Sequence, residues 1–323
     1  MERWQLVQRQ SLPLEAKIIL TEKRIREWVD YYGLYGTYVS FSGGKDSSVL
    51  LDICRRLYPS MTAAFCDTGL EYPEVREHVK RMPNVEWLKP KVPFKEVLQK
   101  YGYPIISKEY ADYIHRLQRS PDNEAVRNKV INGICVSGRP TSFKLPQKWH
   151  HLIDSGIKIS ADCCGVMKKS PLKSFEKKNR VFPIIGVMAA ESKRREQNYL
   201  KDGCNAFKLK RPQSRPISTW TEQDILQYIV IEKLPIAKCY GEVVPASGQL
   251  SLFDPPLLET TLCKRTGCIF CGFGCHLEKE PNRFQRLKVT HPKLWEYCMK
   301  PVEMGGLGMR MRPVLLAYGV KIK

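Results

Sequence analysis

A β-branched and aromatic run, Thr37-Tyr38-Val39-Ser40-Phe41, leads directly into Ser42-Gly43-Gly44-Lys45-Asp46-Ser47. From Ser47 to Tyr58 the chain then carries Val49, Leu50, Ile53 and Leu57 at helical spacing. Strand, glycine turn and helix in that order constrain the fold more than any other stretch of the chain. Glycines accept positive φ and let backbone N–H groups come close to an anion. The helix that follows directs its positive end at the same point. Ser42, Ser47 and Ser48 add hydroxyl donors, Lys45 a neutralising charge, and Asp46 a carboxylate suited to Mg²⁺. Ser42, Gly43, Gly44, Lys45, Asp46 and Ser47 are therefore candidates for holding the phosphates of a nucleotide. The spacing differs from G-x-x-x-x-G-K-S/T, so transfer of a γ-phosphate is not expected.

The surrounding pattern extends this unit. Residues 13 to 33 carry Leu14, Ile18, Ile19, Ile25, Trp28, Val29 and Tyr32 at near-helical spacing. After the glycine turn come a strand from Met61 to Cys66, a helix from Tyr72 to Lys80, and a third strand from Val85 to Leu88. Alternation of this kind predicts an α/β fold, a parallel sheet flanked by helices. Ligands in such sheets sit beyond the carboxyl ends of the strands, where both the glycine turn and Asp67-Thr68-Gly69 fall. A strand reappears over Val181 to Met188 with Pro183 inside it. Pro216 to Tyr228 reads as a turn into a helix with Thr221 as N-cap and Asp224 in its first turn. The pattern divides the chain into an N-terminal helical segment (1–34), a nucleotide-binding domain (35–240) with a helical insertion at about 108–160, and a C-terminal part (241–323). That last part begins with a linker, containing Pro245, Ser247, Gly248, Pro255 and Pro256, and continues as a small cysteine-rich, basic subdomain.

Twelve cysteines in 323 residues, with no export signal at the N-terminus, argue for a reducing compartment. No apolar run approaches the ~20 residues of a membrane span, and a cytoplasmic location without membrane contact is expected. The cysteines cluster as Cys163-Cys164 and as Cys263, Cys268, Cys271 and Cys275, which suits a metal centre better than disulfides. By spacing alone Cys263, Cys268, Cys271 and Cys275 could close one site, iron–sulfur or zinc, with His276 as a spare nitrogen. Cys54, Cys66, Cys135, Cys204, Cys239 and Cys298 stand alone and read as small buried hydrophobes. The net charge of +20 is concentrated around Lys168–Arg180, Lys208–Arg215 and Arg283–Lys293. Such an excess attracts polyanions and makes nucleic acid, DNA or RNA, the expected partner.

The stretch from Val39 to Ser47 resembles the PP-loop of ATP pyrophosphatases, which split ATP between the α and β phosphates and transfer AMP. Phe65-Cys66-Asp67-Thr68-Gly69-Leu70-Glu71-Tyr72-Pro73-Glu74 is similar to the second-strand motif of the phosphoadenosine phosphosulfate (PAPS) reductase family. Gly186, Ser192-Lys193-Arg194-Arg195-Glu196-Gln197 and Pro216 to Ile225 resemble further segments of that family, together covering roughly residues 35 to 275. The resemblance implies an adenine nucleotide alpha-hydrolase-like fold, ATP and Mg²⁺ as cofactors, Asp67 and Thr68 near the nucleotide, and Arg194 and Arg195 on its anionic part. Lys45, Asp46, Arg194 and Arg195 are then the catalytic candidates. Cys163-Cys164 followed by Cys268-x-x-Cys271 looks like the iron–sulfur reductases of the family, which implies a 4Fe–4S cluster, with zinc as the lesser alternative. It leaves open whether Cys163 and Cys164, or Cys263 and Cys275, complete the set.

Two departures shape the functional expectation. Sulfonucleotide reductases carry a modified phosphate loop, whereas this chain keeps the full Ser-Gly-Gly-Lys-Asp-Ser. Those reductases also use a nucleophilic cysteine near the C-terminus, and here only Cys298, in Trp295-Glu296-Tyr297-Cys298, could serve. What remains resembles the enzymes that activate nucleic acid for sulfur insertion: adenylation of the acceptor, release of pyrophosphate, then displacement of AMP by sulfur from a donor such as a cysteine desulfurase. The family often forms dimers, which makes a homodimer the implied oligomer. Two other classes compete with this expectation, a reductase of adenylyl sulfate or PAPS and a non-catalytic iron–sulfur regulator that binds nucleic acid and senses ATP.

Overall fold

The computed structural model describes residues 2–246, 257–309 and 314–322. Ten short strands lie among them. In the first half of the chain these are β1 (Thr37–Phe41), β2 (Ala63–Cys66), β3 (Val85–Leu88) and β4 (Ile105–Ile106). They are followed by β5 (Phe182–Ile185), β6 (Asn205–Ala206), β7 (Gln213–Ser214), β8 (Val243–Pro245), β9 (Leu258–Thr260) and β10 (Gly272–Phe273). The chain separates into two compact units. The first comprises Met1–Asp67, Glu71–Lys89 and Pro171–Gly267, the second Thr68–Leu70, Pro90–Ser170 and Cys268–Lys323.

The first unit is built on a six-stranded sheet in the order β3-β2-β1-β5-β7-β6. Its pairs are parallel except for β6 against β7, so the expected α/β sheet is present. A parallel sheet is covered on both faces, which is why β1 and β2 read as continuous rather than alternating apolar runs. Val39, Phe41, Ala63, Phe65 and Ile184 meet Val49, Leu50 and Ile53 of the helix Lys45–Leu57 in a single core. Pro183 sits inside β5 with its neighbour Ile184 making the one register pair to β7, Ile184 to Ser214. The missing N–H of the proline therefore falls where that ladder is already ending.

The N-terminal helix Leu14–Tyr32 belongs to this same unit rather than standing apart at 1–34. It buries Leu14, Lys17, Thr21, Ile25, Trp28 and Val29, a stripe of helical period. Lys17 Nζ donates to both carboxylate oxygens of Asp224, at 2.8 and 2.7 Å, and the pair is almost wholly buried. Asp224 also accepts from the Thr221 backbone N–H and hydroxyl, and the Thr221 side chain caps the helix Glu222–Ile231 as the sequence predicted. Removing one member of a buried pair costs about 3–5 kcal/mol because the other charge is stranded, so the two ends of this unit are firmly coupled. The strands β8 and β9 form an antiparallel hairpin where a linker was expected. Ser247, Gly248, Pro255 and Pro256 of that linker lie outside the described residues.

In the second unit the segment expected as a helical insertion folds together with the cysteine-rich C-terminal residues. Lys108–Arg119 is helical, with Ser107 as its N-cap, but beyond Asn132 the chain has no helix until a short 3₁₀ turn at Gln147–Leu152, passing through turns and one bridge between Ile134 and Pro140. β4 pairs in parallel with β10, and Tyr103 bridges Ile159. These contacts join residues far apart in sequence, which no local periodicity announces. Among the described residues no helix is long and apolar enough to cross a membrane.

Candidate functional site

In the first unit the ends of three adjacent parallel strands come together. Phe41 of β1 is in register with Phe65 of β2, and Ser40 with Ile185 of β5. Ser42, Asp67 and Gly186 therefore leave the sheet side by side. The loop backbone needs its glycines. Gly43 has φ +71°, and a Cβ there would lie 2.7 Å from methyl groups of both Val75 and Val79. A Cβ on Gly186 would press within 3.3 Å of Ser47 Cα, so this glycine lets the neighbouring strand end approach the loop. Gly44 precedes the helix Lys45–Leu57 without any side-chain cap, which leaves the first-turn N–H groups to other partners. The Ser42 and Ser47 hydroxyls bond each other at 2.9 Å and hold the turn closed.

Lys45 is buried, its Nζ donating to the Lys264 carbonyl at 2.7 Å and lying 3.1 Å from Glu222 Oε1. Its backbone N–H donates to the Tyr240 hydroxyl at 3.2 Å, and that hydroxyl bonds Thr266 Oγ1 at 2.7 Å. Asp46 Oδ1 is buried with no hydrogen-bond partner, 4.0 Å from Lys45 Nζ. Burial pushes the Asp46 carboxyl up from its ordinary value, against the pull of Lys45, Arg265 and Arg195. A partly orphaned carboxylate at a helix N-terminus, ringed by cations, has the chemistry of a metal and phosphate site, and the residues fit Mg²⁺ with a polyphosphate. Arg195, half-buried and ion-paired with Glu191, acts on Asp46, whereas Arg194 is exposed. Asp67 is buried and accepts from Arg76 at 2.8 Å. Thr68, in the second unit, turns its hydroxyl to the Leu70 N–H at 3.2 Å.

Sequence reading missed Glu222, Tyr240, Arg265 and Thr266. Arg265 and Thr266 stand between Cys263 and Cys268 in the sequence, and only a cation beside a polar Thr there signals a role.

The second unit gathers four thiols. Cys163 and Cys164 are hydrogen-bonded neighbours, and Cys271 and Cys268 act on Cys163 electrostatically. The hydrogen bond from Cys163, with help from Lys108 and Lys168, holds the Cys164 thiol below its ordinary value. The segment from Tyr103 through β4 (Ile105–Ile106) explains the meeting. Its bridge to Ile159 leads the chain into Cys163, its pairing with Gly272 holds the residue after Cys271, and its continuation supplies Lys108. Cys268 and Cys271 are tied by a turn of 3.0 Å, and the Arg283 guanidinium donates to the Cys271 carbonyl at 2.9 Å. Among the described residues no three His, Cys, Asp or Glu side chains form a ready metal cage.

The remaining candidates part ways. Cys263 lies in the first unit, where it pairs with Cys239, its N–H donating to the Cys239 carbonyl at 3.3 Å. Cys275 is buried with its thiol pushed up to about 12 by burial. Cys298 is fully buried and its thiol is likewise raised by burial, a poor setting for a nucleophile.

Residues 36–129 and 140–272 match the family model of the phosphoadenosine phosphosulfate reductase domain. The chain belongs to the PAPS reductase family, a family of enzymes. An uncharacterized protein of Methanocaldococcus jannaschii is 25% identical over 274 residues, which cover 81% of this chain and 46% of that relative. The chain thus spans about half the length of that relative. An adenosine 5'-phosphosulfate reductase of Lysinibacillus sphaericus is 22% identical over 220 residues, 67% of this chain and 74% of that protein. Among solved structures, a PAPS reductase of Candida auris aligns with 13% identity and a TM-score of 0.38 over 74% of this chain and 90% of its own. A U34-tRNA thiolase of Methanococcus maripaludis, solved with its 4Fe–4S cluster, aligns with 15% identity and a TM-score of 0.35 over 69% and 67%.

Proposed function

We propose that the chain is an AMP-forming ATP pyrophosphatase that adenylates a nucleic-acid acceptor for sulfur transfer. The observation that carries this reading is the intact glycine loop with a buried, partly orphaned Asp46 and a ring of Lys45, Arg195 and Arg265 around it. A sulfonucleotide offers no triphosphate for such a ring to neutralise. The backbone N–H groups of the loop and the helix N-terminus would receive the phosphates, and Asp46 would hold Mg²⁺, which would supply charge neutralisation there. An acceptor oxygen then attacks the α-phosphorus, the bond to the β-phosphate oxygen breaks, and pyrophosphate leaves. Positioning and charge neutralisation supply most of the acceleration. A sulfur nucleophile then displaces AMP: hydrosulfide completes the exchange directly, whereas a persulfide from a donor such as a cysteine desulfurase leaves a disulfide that a thiol reductant must open.

Cys163, Cys164, Cys268 and Cys271 are the residues that would hold a 4Fe–4S cluster, which supplies a redox-active, sulfur-binding centre. Four thiols close enough to influence one another, yet not converging on a single point, suit a cluster in which each iron takes one thiolate better than they suit one zinc ion. The kinship with an adenosine 5'-phosphosulfate reductase favours a second reading, a sulfonucleotide reductase. The burial of Cys298 counts against it.

The test is anaerobic incubation with ATP labelled at the α-phosphate, Mg²⁺ and mixed nucleic acids. AMP and pyrophosphate are expected, with a loss of at least a hundredfold in the Lys45→Ala variant. Sulfite release from adenylyl sulfate, with no cleavage of ATP, would replace the proposal by the reductase.

A further inference from the structure

Two of the basic concentrations that are separate in sequence form one surface in the first unit. The join is Glu176, on the helix Ser170–Asn179, whose carboxylate receives Arg211 Nε at 2.7 Å, Arg211 Nη at 2.5 Å and the Tyr38 hydroxyl at 2.7 Å. Arg211 thereby ties the segment carrying Lys208 and Lys210 to the helix that carries Lys173, Lys177 and Lys178. Glu176 is the one carboxylate in residues 170–180 and 205–215, and it is consumed by these contacts. Lys173, Lys177, Lys178, Lys208 and Lys210 are all exposed, and none has a carboxylate partner among the described residues. Lys173 and Lys177, four residues apart, follow one another on a single helix face at a rise of about 6 Å.

The edge of this surface is aromatic. Tyr31 is 68% exposed, yet its ring lies 4.8 Å from that of Phe207, the residue before Lys208. Tyr32 and Trp28 support Phe207 from below, at 6.1 and 5.0 Å. A protein with no use for this arrangement gains nothing from holding five uncompensated ammonium groups together beside an exposed ring. Cations tracking a backbone, with a firmly backed aromatic face for a base, are the combination that binds single strands. Duplex offers phosphates but keeps its base faces stacked away from such a ring.

We propose that Lys173, Lys177, Lys178, Lys208 and Lys210, with Tyr31 at their edge, form a docking surface for single-stranded nucleic acid. The proposal rests on the functional reading above only in taking nucleic acid as the acceptor. Phosphates meet the lysines, and one base stacks on Tyr31.

The experiment is fluorescence anisotropy of the full chain with labelled single-stranded RNA, single-stranded DNA, the matched duplex, and phosphatidylserine vesicles, across a salt series. The Lys173→Ala/Lys177→Ala/Lys210→Ala variant is expected to bind single strands at least tenfold more weakly. Its slope of log affinity against log salt should be smaller by about 2. Tyr31→Leu, which keeps the packing on Phe207, is expected to lose roughly tenfold with the slope unchanged. A control pair on the third basic concentration, Lys288→Ala/Lys293→Ala, should lose less than twofold. Unchanged single-strand binding in the triple variant, equal losses in the control, preference for duplex or vesicles, or no binding by the wild type would each overturn the proposal. The binding assay contains no ATP, so a failure of AMP formation sinks the adenylation reading while leaving this result standing.

Discussion

The phosphate loop and the cysteine centre are built in opposite ways. The loop is one uninterrupted stretch from Thr37 to Leu57, in which a buried strand, a glycine at positive φ and a helix N-terminus follow each other in sequence. Its chemistry comes largely from the backbone, so its geometry is set as soon as the strand and helix pack. The cysteine centre joins residues 163–164 to 268–271, and the strands that bring them together, β4 and β10, are two residues each. Its chemistry comes entirely from side chains. A backbone-built phosphate cradle keeps its shape through side-chain changes that leave the turn intact, although turnover still needs Lys45, while a side-chain-built site fails on loss of a single ligand.

That contrast predicts the largest effect among the cysteines. In anaerobically reconstituted protein, Cys271→Ser is expected to abolish stoichiometric iron and the visible absorbance while ATP affinity stays within about twofold of wild type. Cys263→Ser, on the thiol that pairs with Cys239 instead, is expected to keep full iron content. Iron loss in Cys263→Ser with retention in a Cys163→Ser variant would restore the local four-cysteine set and break the assignment. The loop should show the reverse pattern. Gly43→Ala introduces a side chain at positive φ against Val75 and Val79, and is expected to destabilise the first unit by about 2–4 kcal/mol. Denaturant melts should register that loss together with the loss of ATP binding. A variant that melts like wild type would show that the turn is softer than its geometry implies.

The same contrast explains what was legible in the sequence. The strand–turn–helix around Gly43, the limits of β3 and the Thr221 cap are local, and residue pattern specifies them within a few positions. Asp46 was visible for the same reason. Tyr240, 195 residues from Lys45, and Arg265, further still along the chain from Asp46, both reach the loop, and nothing in their own neighbourhoods marks them. The family resemblance pairs Cys163-Cys164 with Cys268-x-x-Cys271 and leaves Cys263 and Cys275 open as the alternative. Cys263, five positions from Cys268 in sequence, folds with Cys239 in the first unit. The three-part division follows changes of composition, whereas the two compact units are closed by Lys17 meeting Asp224 and by β4 meeting β10.

The smallest effect tests whether the loop is poised for a cation. Burial raises the Asp46 carboxyl more than Lys45, Arg265 and Arg195 lower it, so the folded chain holds this proton more tightly than the unfolded chain does. Between the ordinary carboxylate value and the raised one the native state binds more protons, and stability falls as pH rises through that window. Above it the charged carboxylate is a standing cost, which Asp46→Asn removes. Without nucleotide, the variant should melt slightly above wild type at neutral pH, and the gap should close as pH drops below the ordinary carboxylate range. Added Mg²⁺ and ATP should reverse the order, because a cation turns the same carboxylate from a cost into a ligand. A variant that melts below wild type at neutral pH without nucleotide would mean that the neighbouring cations already satisfy Asp46. The loop would then be held together by charge pairs rather than waiting for a metal, and the difference between a backbone-built and a side-chain-built site would narrow.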